Sequence, residues 1–246
     1  VNPYSKIMTE GDQVICVGKP VKNHICKHYK TNPAKITVIP RGVDLSYFDH
    51  KKVNPDTTEN LMHSFNLKGK IVICSVGRIS RVKNFEVIIS AIAKLSEVYP
   101  NIIGLIVGGE KNEEDEYSKS LKMFAEKICP NRIVWTGSRI DMREIYTCCD
   151  VVVNSSPKMG NVARTLVEGL AMNKPILSTE MKGLDHIIKD GVNGYTIRSG
   201  DVDDLFHKLK LILKLKITST RDSIPSEFTL DSMVNSTLDV YEKALR

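Results

Sequence analysis

Apolar residues follow two different periods in this chain. Continuous runs at Ile71–Val76, Ile102–Val107, Arg132–Trp135, Val151–Asn154, Ile176–Ser178 and Tyr195–Ile197 are strand-like. Between them the spacing becomes helical: Phe85, Ile88, Ile89, Ile92 and Leu95 recur on one face, and Val162, Leu166 and Leu170 do so in a helix expected from about Asn161 to Met172. Strand and helix in alternation predict an α/β fold, a Rossmann-like, right-handed, doubly wound parallel sheet. Ahead of this block, Asp12–Val17 reads as a strand, Pro20–Tyr29 as a helix and Ile36–Ile39 as a strand. Behind it, Lys208–Lys216 reads as a core-packed helix with snorkelling lysines, Thr218–Pro225 as a linker, and Phe228, Met233, Leu238 and Tyr241 as the apolar positions of a final helix. Lys111–Glu116 is expected to be a polar loop.

Two junctions in this pattern carry chemistry. In VGRISRVKNFEVII the first long strand breaks at Gly77, expected to let the backbone turn, and delivers Arg78 and Lys83 to one loop. Asn84 reads as the N-cap of the following helix. Two cations beside a positive helix terminus suit an anion, and the carboxyl edge of an open sheet is where such folds bind ligands. As single residues, Arg78 and Lys83 read equally well as solvated surface charges. The second junction repeats the device: VVVNSSPKMGNVARTLVEGLAMNKPILST runs strand, glycine-containing loop, helix, strand. Glu168 lies about two turns into that helix, where a carboxylate is able to accept hydrogen bonds from a ribose diol. Its bland alternative is a solvated helix glutamate.

Together these segments resemble the glycosyltransferase group 1 family, retaining enzymes of the GT-B fold that move a sugar from a nucleotide-sugar donor. The resemblance rests on VIPRGVDLSYF (Val38 to Phe48), VGRISRVKN (Val76 to Asn84), LIVGGE (Leu105 to Glu110), VWTGSRIDMREIYTCCDVVVNSS (Val134 to Ser156), RTLVEGLAMNKPI (Arg164 to Ile176) and DGVNGYTI (Asp190 to Ile197). It implies that Arg78 and Lys83 hold the donor diphosphate and stabilise it electrostatically as it departs, and that Glu168 binds the ribose. Gly137 and Arg139 match the loop beside the nucleobase. Gly77, Gly160, Asn161, Val162, Arg164 and Thr165 complete the implied donor-binding set. Two departures stand out: Gly160 occupies the place of the family's first glutamate, which contacts the donor sugar, and Ala163 replaces a loop glycine.

The resemblance also implies a domain plan. Residues 1–42 would be the end of an acceptor-binding domain, 43–220 the donor-binding domain and 221–246 a crossover helix, with most of the acceptor domain outside this chain. A length of 246 residues with 41% hydrophobic content is ample for one large α/β core. The expected partners are a nucleotide-sugar and, through the rest of the acceptor domain, a glycan or lipid-linked acceptor of cell-envelope or lipopolysaccharide synthesis. Other readings are a non-catalytic nucleotide-sugar-binding module, a sucrose-type synthase or a sugar-nucleotide epimerase.

Charge and composition narrow the field further. The formal charge of +6 suits anionic ligands or a peripheral contact with an anionic membrane face. Nucleic acid is not expected, because no basic stripe interleaved with aromatics is present. The six cysteines have no CxxC pair and no metal-ligand spacing, and read as buried thiols of a cytoplasmic protein. Neither a metal nor a cofactor is expected. VGGE at Val107–Glu110 lacks the dinucleotide G-x-G-x-x-G spacing. His186 is expected on a short helix in a structural role, and Ser155 and Ser156 do not form a nucleophile elbow.

Overall fold

A computed structural model describes residues 2–110, 116–157, 162–180, 186–215, 217 and 219–246, the side chains of 162 and 163 excepted. The chain divides into two compact units, one of residues 1–45 with 225–246 and one of residues 46–224.

In the smaller unit, β1 (Val14–Cys16) and β2 (Ile36–Val38) pair in parallel around helix α2 (Lys19–Tyr29), after a short α1 (Pro3–Ile7). Val14, Cys16 and Ile36 are its buried centre. Helix α9 (Leu230–Ala244), capped by Thr229, closes this unit. Gly42 permits that closure, since a Cβ there would lie 2.5 Å from the Thr229 carbonyl oxygen, and the Val43 N–H donates to Phe228 O.

The larger unit is a parallel sheet of six strands. Its strands are β3 (Ile71–Val76), β4 (Ile102–Val107), β5 (Ile133–Trp135), β6 (Val151–Asn154), β7 (Ile176–Thr179) and β8 (Gly194–Ile197), in spatial order β5-β4-β3-β6-β7-β8. The connecting helices are α3 (Pro55–Ser64), α4 (Phe85–Ser96), α5 (Glu116–Ile128), α6 (Met142–Thr147), α7 (Val162–Ala171) and α8 (Val202–Leu215). The apolar face expected for α4 is buried through Phe85, Ile88, Ile89, Ile92 and Leu95. Those residues share a cluster with buried Leu121 and Ala125 of α5 and Leu205, Leu209 and Ile212 of α8. A second cluster, with Leu67, Ile145, Cys148 and Cys149 against Val72, Cys74 and Leu105, joins residues of β3 and β4 to α6. Two glycines allow close layers: a Cβ on Gly104 would sit 2.4 Å from Ile92 Cδ1, and one on Gly169 3.1 Å from Val152 Cγ2.

Residues 220–223 are not the free linker expected from composition. Thr220 is fully buried and its hydroxyl donates to Leu170 O at 3.0 Å, while Arg221 donates to Ala171 O at 2.7 Å. The lysines of α8 behave as expected: Leu205, Leu209 and Ile212 face the core, and Lys208 lies over the Tyr195 ring.

Candidate functional site

The strand order reverses direction between β3 and β6, which are paired neighbours. Chain leaving β3 runs toward β4 on one side, and chain leaving β6 runs toward β7 on the other, so the loops diverge and open a crevice at the carboxyl edge. Open α/β sheets bind ligands at such a switch point. The β3 loop carries Arg78 and Lys83, and the chain after β6 leads into α7, whose N-terminal amides end at this edge.

The floor of the crevice is built from glycines whose backbones touch. Gly77 N–H donates to Val107 O at 2.8 Å, Ile79 N–H to Gly109 O at 3.0 Å and Gly108 N–H to Gly137 O at 2.9 Å. A Cβ on Gly108 would fall 2.0 Å from Gly77 O, and Gly108 has φ of +148°. Gly137 is left-handed at φ +68° with open space where a side chain would be. Gly77 lies in a bend directly after β3, as expected, but without a positive φ; what requires glycine there is space, since a Cβ would meet Lys83 Cε at 2.6 Å.

Lys83 therefore lies along the glycine floor. Burial holds its pKa below the ordinary lysine value, and the Arg78 guanidinium adds to the depression. Neither cation has an ion pair among the described residues, whereas Arg139, Arg143, Arg164 and Arg198 all do. Two uncompensated cations, one of them half-buried, are an unfavourable arrangement that an anion relieves. Asn84 does stand at the start of α4 but not as a side-chain cap. It is left-handed (φ 51°, ψ 47°) and makes no capping hydrogen bond, a conformation asparagine tolerates better than most residues.

Ser155 positions this loop. Its hydroxyl lies 2.8 Å from both Lys83 O and Asn84 O, so the end of β6 grips the backbone that carries the lysine. Ser156 Oγ is buried and has no hydrogen-bond partner among the described residues. Such a group costs about 1–3 kcal/mol unless water or a ligand satisfies it.

Glu168 is 5% exposed, which rules out the solvated-glutamate alternative. The Tyr146 hydroxyl donates to Oε2 at 2.9 Å and Arg164 Nε donates to Oε1 at 2.9 Å. Burial raises the Glu168 pKa, opposed by the tyrosine hydrogen bond and the Arg164 charge. Burial likewise lifts the Tyr146 hydroxyl well above its ordinary value. Arg139 is tied to Asp141, its Nε donating at 2.8 Å, and lies over the Phe65 ring. Thr165 offers its carbonyl to Tyr146 at 3.4 Å. Gly160 and Asn161 lie outside the described residues; Val162 opens α7, and neither its side chain nor that of Ala163 is described. His186 is in a turn, not the expected helix, and is exposed. No group of His, Cys, Asp and Glu able to hold a metal occurs among the described residues.

Comparison with known proteins agrees with this architecture. A family model described as glycosyl transferases group 1 matches residues 57–225, and one described as glycosyltransferase family 4 matches residues 2–47. Spore coat protein SA of Bacillus subtilis strain 168 is 26% identical over 246 residues, covering 94% of this chain and 65% of its own length. A crystal structure of a glycosyltransferase from Rickettsia africae ESF-5 superposes with a TM-score of 0.87 at 24% identity, over 100% of this chain and 68% of that one. Anabaena Alr3699/HepE, crystallised in complex with UDP and glucose, superposes with a TM-score of 0.85 at 19% identity, over 94% and 63%. These superpositions establish the GT-B type of fold, and the chain spans just under two thirds of the length of the spore coat protein and of HepE. With residues 57–225 matched by its model, the chain belongs to the glycosyl transferases group 1 family.

Proposed function

We propose that this chain supplies the nucleotide-sugar side of a retaining glycosyl transfer, with residues 43–220 as the donor-binding domain. One observation carries the reading: Arg78 and Lys83, both without an ion pair among the described residues, follow β3 at the switch point, and α7 follows the neighbouring strand β6. A diphosphate would complete that arrangement. Its oxygens would receive charge-assisted hydrogen bonds from both cations, and the α7 amides would favour the same charge. As the glycosidic bond breaks, negative charge grows on the leaving diphosphate, and fixed cations stabilise that charge more than the ground state. Metal is not required in this scheme.

Glu168 would accept from the ribose hydroxyls. It is held in place by Tyr146, while Arg164 would swing off Oε1 toward the nucleotide. Gly137 and Arg139 would flank the base, and Gly160, Asn161, Val162 and Thr165 would line the donor. The UDP and glucose found with HepE support a nucleotide-sugar as the ligand class. The acceptor, a glycan or a lipid-linked saccharide of the cell envelope, would be read largely by sequence beyond this chain, at the cytoplasmic membrane face. No carboxylate occurs between Val151 and Val167, and that favours a second reading, a binding module without turnover.

Saturation-transfer NMR with a panel of nucleotide-sugars tests the donor reading. Transfer from the chain to at least one member is expected, with the strongest signals on ribose and base protons. Silence from every member would overturn it.

A further inference from the structure

Among the described residues, Ser156 alone buries a side-chain polar atom that has no hydrogen-bond partner. It belongs to a polar layer at the carboxyl edge. Asn154 closes β6 with Ser155 and Ser156 behind it, and Ser178 and Thr179 close β7, all of them buried, whereas β3 and β4 end on valines. The rest of the layer is satisfied. Asn154 Nδ2 donates to Ser178 Oγ at 3.0 Å, Thr179 Oγ1 donates to Asn154 O at 3.5 Å, and Ser155 Oγ lies 2.8 Å from Lys83 O and Asn84 O. The Ser156 N–H reaches Asn154 Oδ1 at 3.4 Å, which leaves only its hydroxyl unspent. Folded proteins keep few such groups, and a role with a ligand is one reason to keep one.

The strand pleat places that hydroxyl. Side chains alternate across a strand. Val151 and Val153 join the cluster of α4 and α8, and Ser155 continues on that face to the backbone that opens α4. Val152 lies on the opposite face, against α7, where a Cβ on Gly169 would meet its Cγ2 at 3.1 Å. Asn154 and Ser156 follow Val152 on the α7 side. Because α7 returns between the parallel neighbours β6 and β7, it runs against β6. Four strand residues carry the chain about 13 Å outward from Val152 to Ser156. Seven helix residues carry it roughly 10 Å back from Val162 to Gly169. Ser156 therefore stands level with the opening turn of α7, farther toward the carboxyl edge than Glu168.

We infer that Ser156 reads the sugar to be transferred, its hydroxyl pairing with a hydroxyl of the donor's glycosyl group. The inference rests on the donor reading above, in which Glu168 takes the ribose and Arg78 and Lys83 the diphosphate. A sugar joined through that diphosphate lies beyond it from the ribose, in the outward direction in which Ser156 is displaced from Glu168. Chemistry selects the sugar over the phosphates. Phosphate oxygens only accept, and two cations and the α7 amides already suit them. A sugar hydroxyl donates and accepts, as the serine hydroxyl does. No carboxylate between Val151 and Val167 competes for the same sugar. Ser156 is thus a specificity-determining residue, and Ser155, on the other face, positions the Lys83 loop.

The test is calorimetry of the parent chain, Ser156→Ala and Ser155→Ala with UDP, GDP, UDP-glucose, UDP-N-acetylglucosamine and GDP-mannose. Ser156→Ala should match or exceed the parent in urea unfolding and keep the parental Kd for the nucleoside diphosphate. It should bind the nucleotide-sugar that the parent prefers roughly 2- to 12-fold more weakly, the span of one neutral hydrogen bond. Ser155→Ala should weaken diphosphate and nucleotide-sugar alike. Monodeoxy analogues of the preferred sugar close the cycle: the parent should lose affinity for one of them, and Ser156→Ala should bind that one as well as the intact sugar. Parental affinity of Ser156→Ala for every nucleotide-sugar, or an equal loss for the nucleoside diphosphate, would overturn the inference and leave the donor reading standing. Binding of no panel member by the parent chain would overturn both.

Discussion

Replacing Gly77 by alanine tests the phosphate site without touching either cation. The new Cβ would lie 2.6 Å from Lys83 Cε, 2.9 Å from Cδ and 3.2 Å from Nζ. Carbons in contact sit about 3.5–4.0 Å apart, so the lysine side chain has to retreat by on the order of 1 Å. What obstructs is the far end of a flexible side chain, and Gly77 is not left-handed, so the backbone accepts alanine. Stability should hold or rise by roughly 0.4–1 kcal/mol, because alanine restricts the unfolded chain. Binding should respond in the opposite sense. A displaced ammonium loses a charge-assisted hydrogen bond worth about 1.5–3 kcal/mol, roughly 10- to 150-fold in Kd. Calorimetry with whichever of UDP, GDP or ADP binds the parent chain, beside urea unfolding of the same samples, reads both quantities. If Lys83 is the intermediary, Gly77→Ala in a Lys83→Ala background should shift binding by less than about 0.5 kcal/mol. A parental Kd for Gly77→Ala, or an undiminished loss in the Lys83→Ala background, would refute the reasoning.

Other substitutions separate the remaining parts. The pKa of Lys83 is lowered by burial and by Arg78, so its protonation costs the folded state stability below the ordinary lysine value of 10.5. Lys83→Met should therefore be more stable than the parent at neutral pH, should lose that advantage as pH rises toward 10.5, and should bind diphosphate poorly throughout; thermal unfolding across pH reads the first two. Ser155→Ala takes the hydroxyl away from the Lys83 carbonyl, leaving Asn84 O with its Val87 N–H bond, and should cost about 1–3 kcal/mol in urea unfolding, whereas Ser156→Ala removes a hydroxyl without a partner among the described residues and should cost nothing or stabilise. Glu168→Gln should weaken nucleoside diphosphate binding while leaving inorganic pyrophosphate unchanged or slightly tighter, since pyrophosphate has no ribose; equal weakening of both by calorimetry counts against the ribose role.

Much of this fold was legible because buried parallel strands and core helices leave local periodic signals. Ile71–Val76, Ile102–Val107 and Val151–Asn154 appear with the expected bounds. The edge strand β5 starts one residue later than expected, at Ile133, and β8 one earlier, at Gly194. The misses share a physical cause, which is dependence on contacts distant in sequence. Thr220 looks like linker composition until Leu170 is placed beside it. Gly77 does stand in a bend, but its need for space shows only once Lys83 folds back across it. Ser155, read only as a failed nucleophile, holds a loop about 70 residues earlier in the chain. Tyr146, within the matched stretch Val134–Ser156, gave no sign that it would hold Glu168. Gly108 was visible as part of VGGE, but its contact with Gly77 O arises only when β3 and β4 pair in register.

Backbone amide shifts of the isotopically labelled chain, followed as a nucleoside diphosphate is added, test the location of the site most directly. The largest changes are expected at Gly77 to Asn84, at Gly108 and Gly137, and at Ser155, Ser156, Arg164 and Glu168, all on the loops and helix at the carboxyl edge or packed beside it. The same titration of Arg78→Ala/Lys83→Ala should leave those amides nearly still. Changes centred on the opposite edge, around Val72, Asp150 and Lys174, or unaltered shifts in the double variant, would contradict a phosphate site at the β3–β6 switch point.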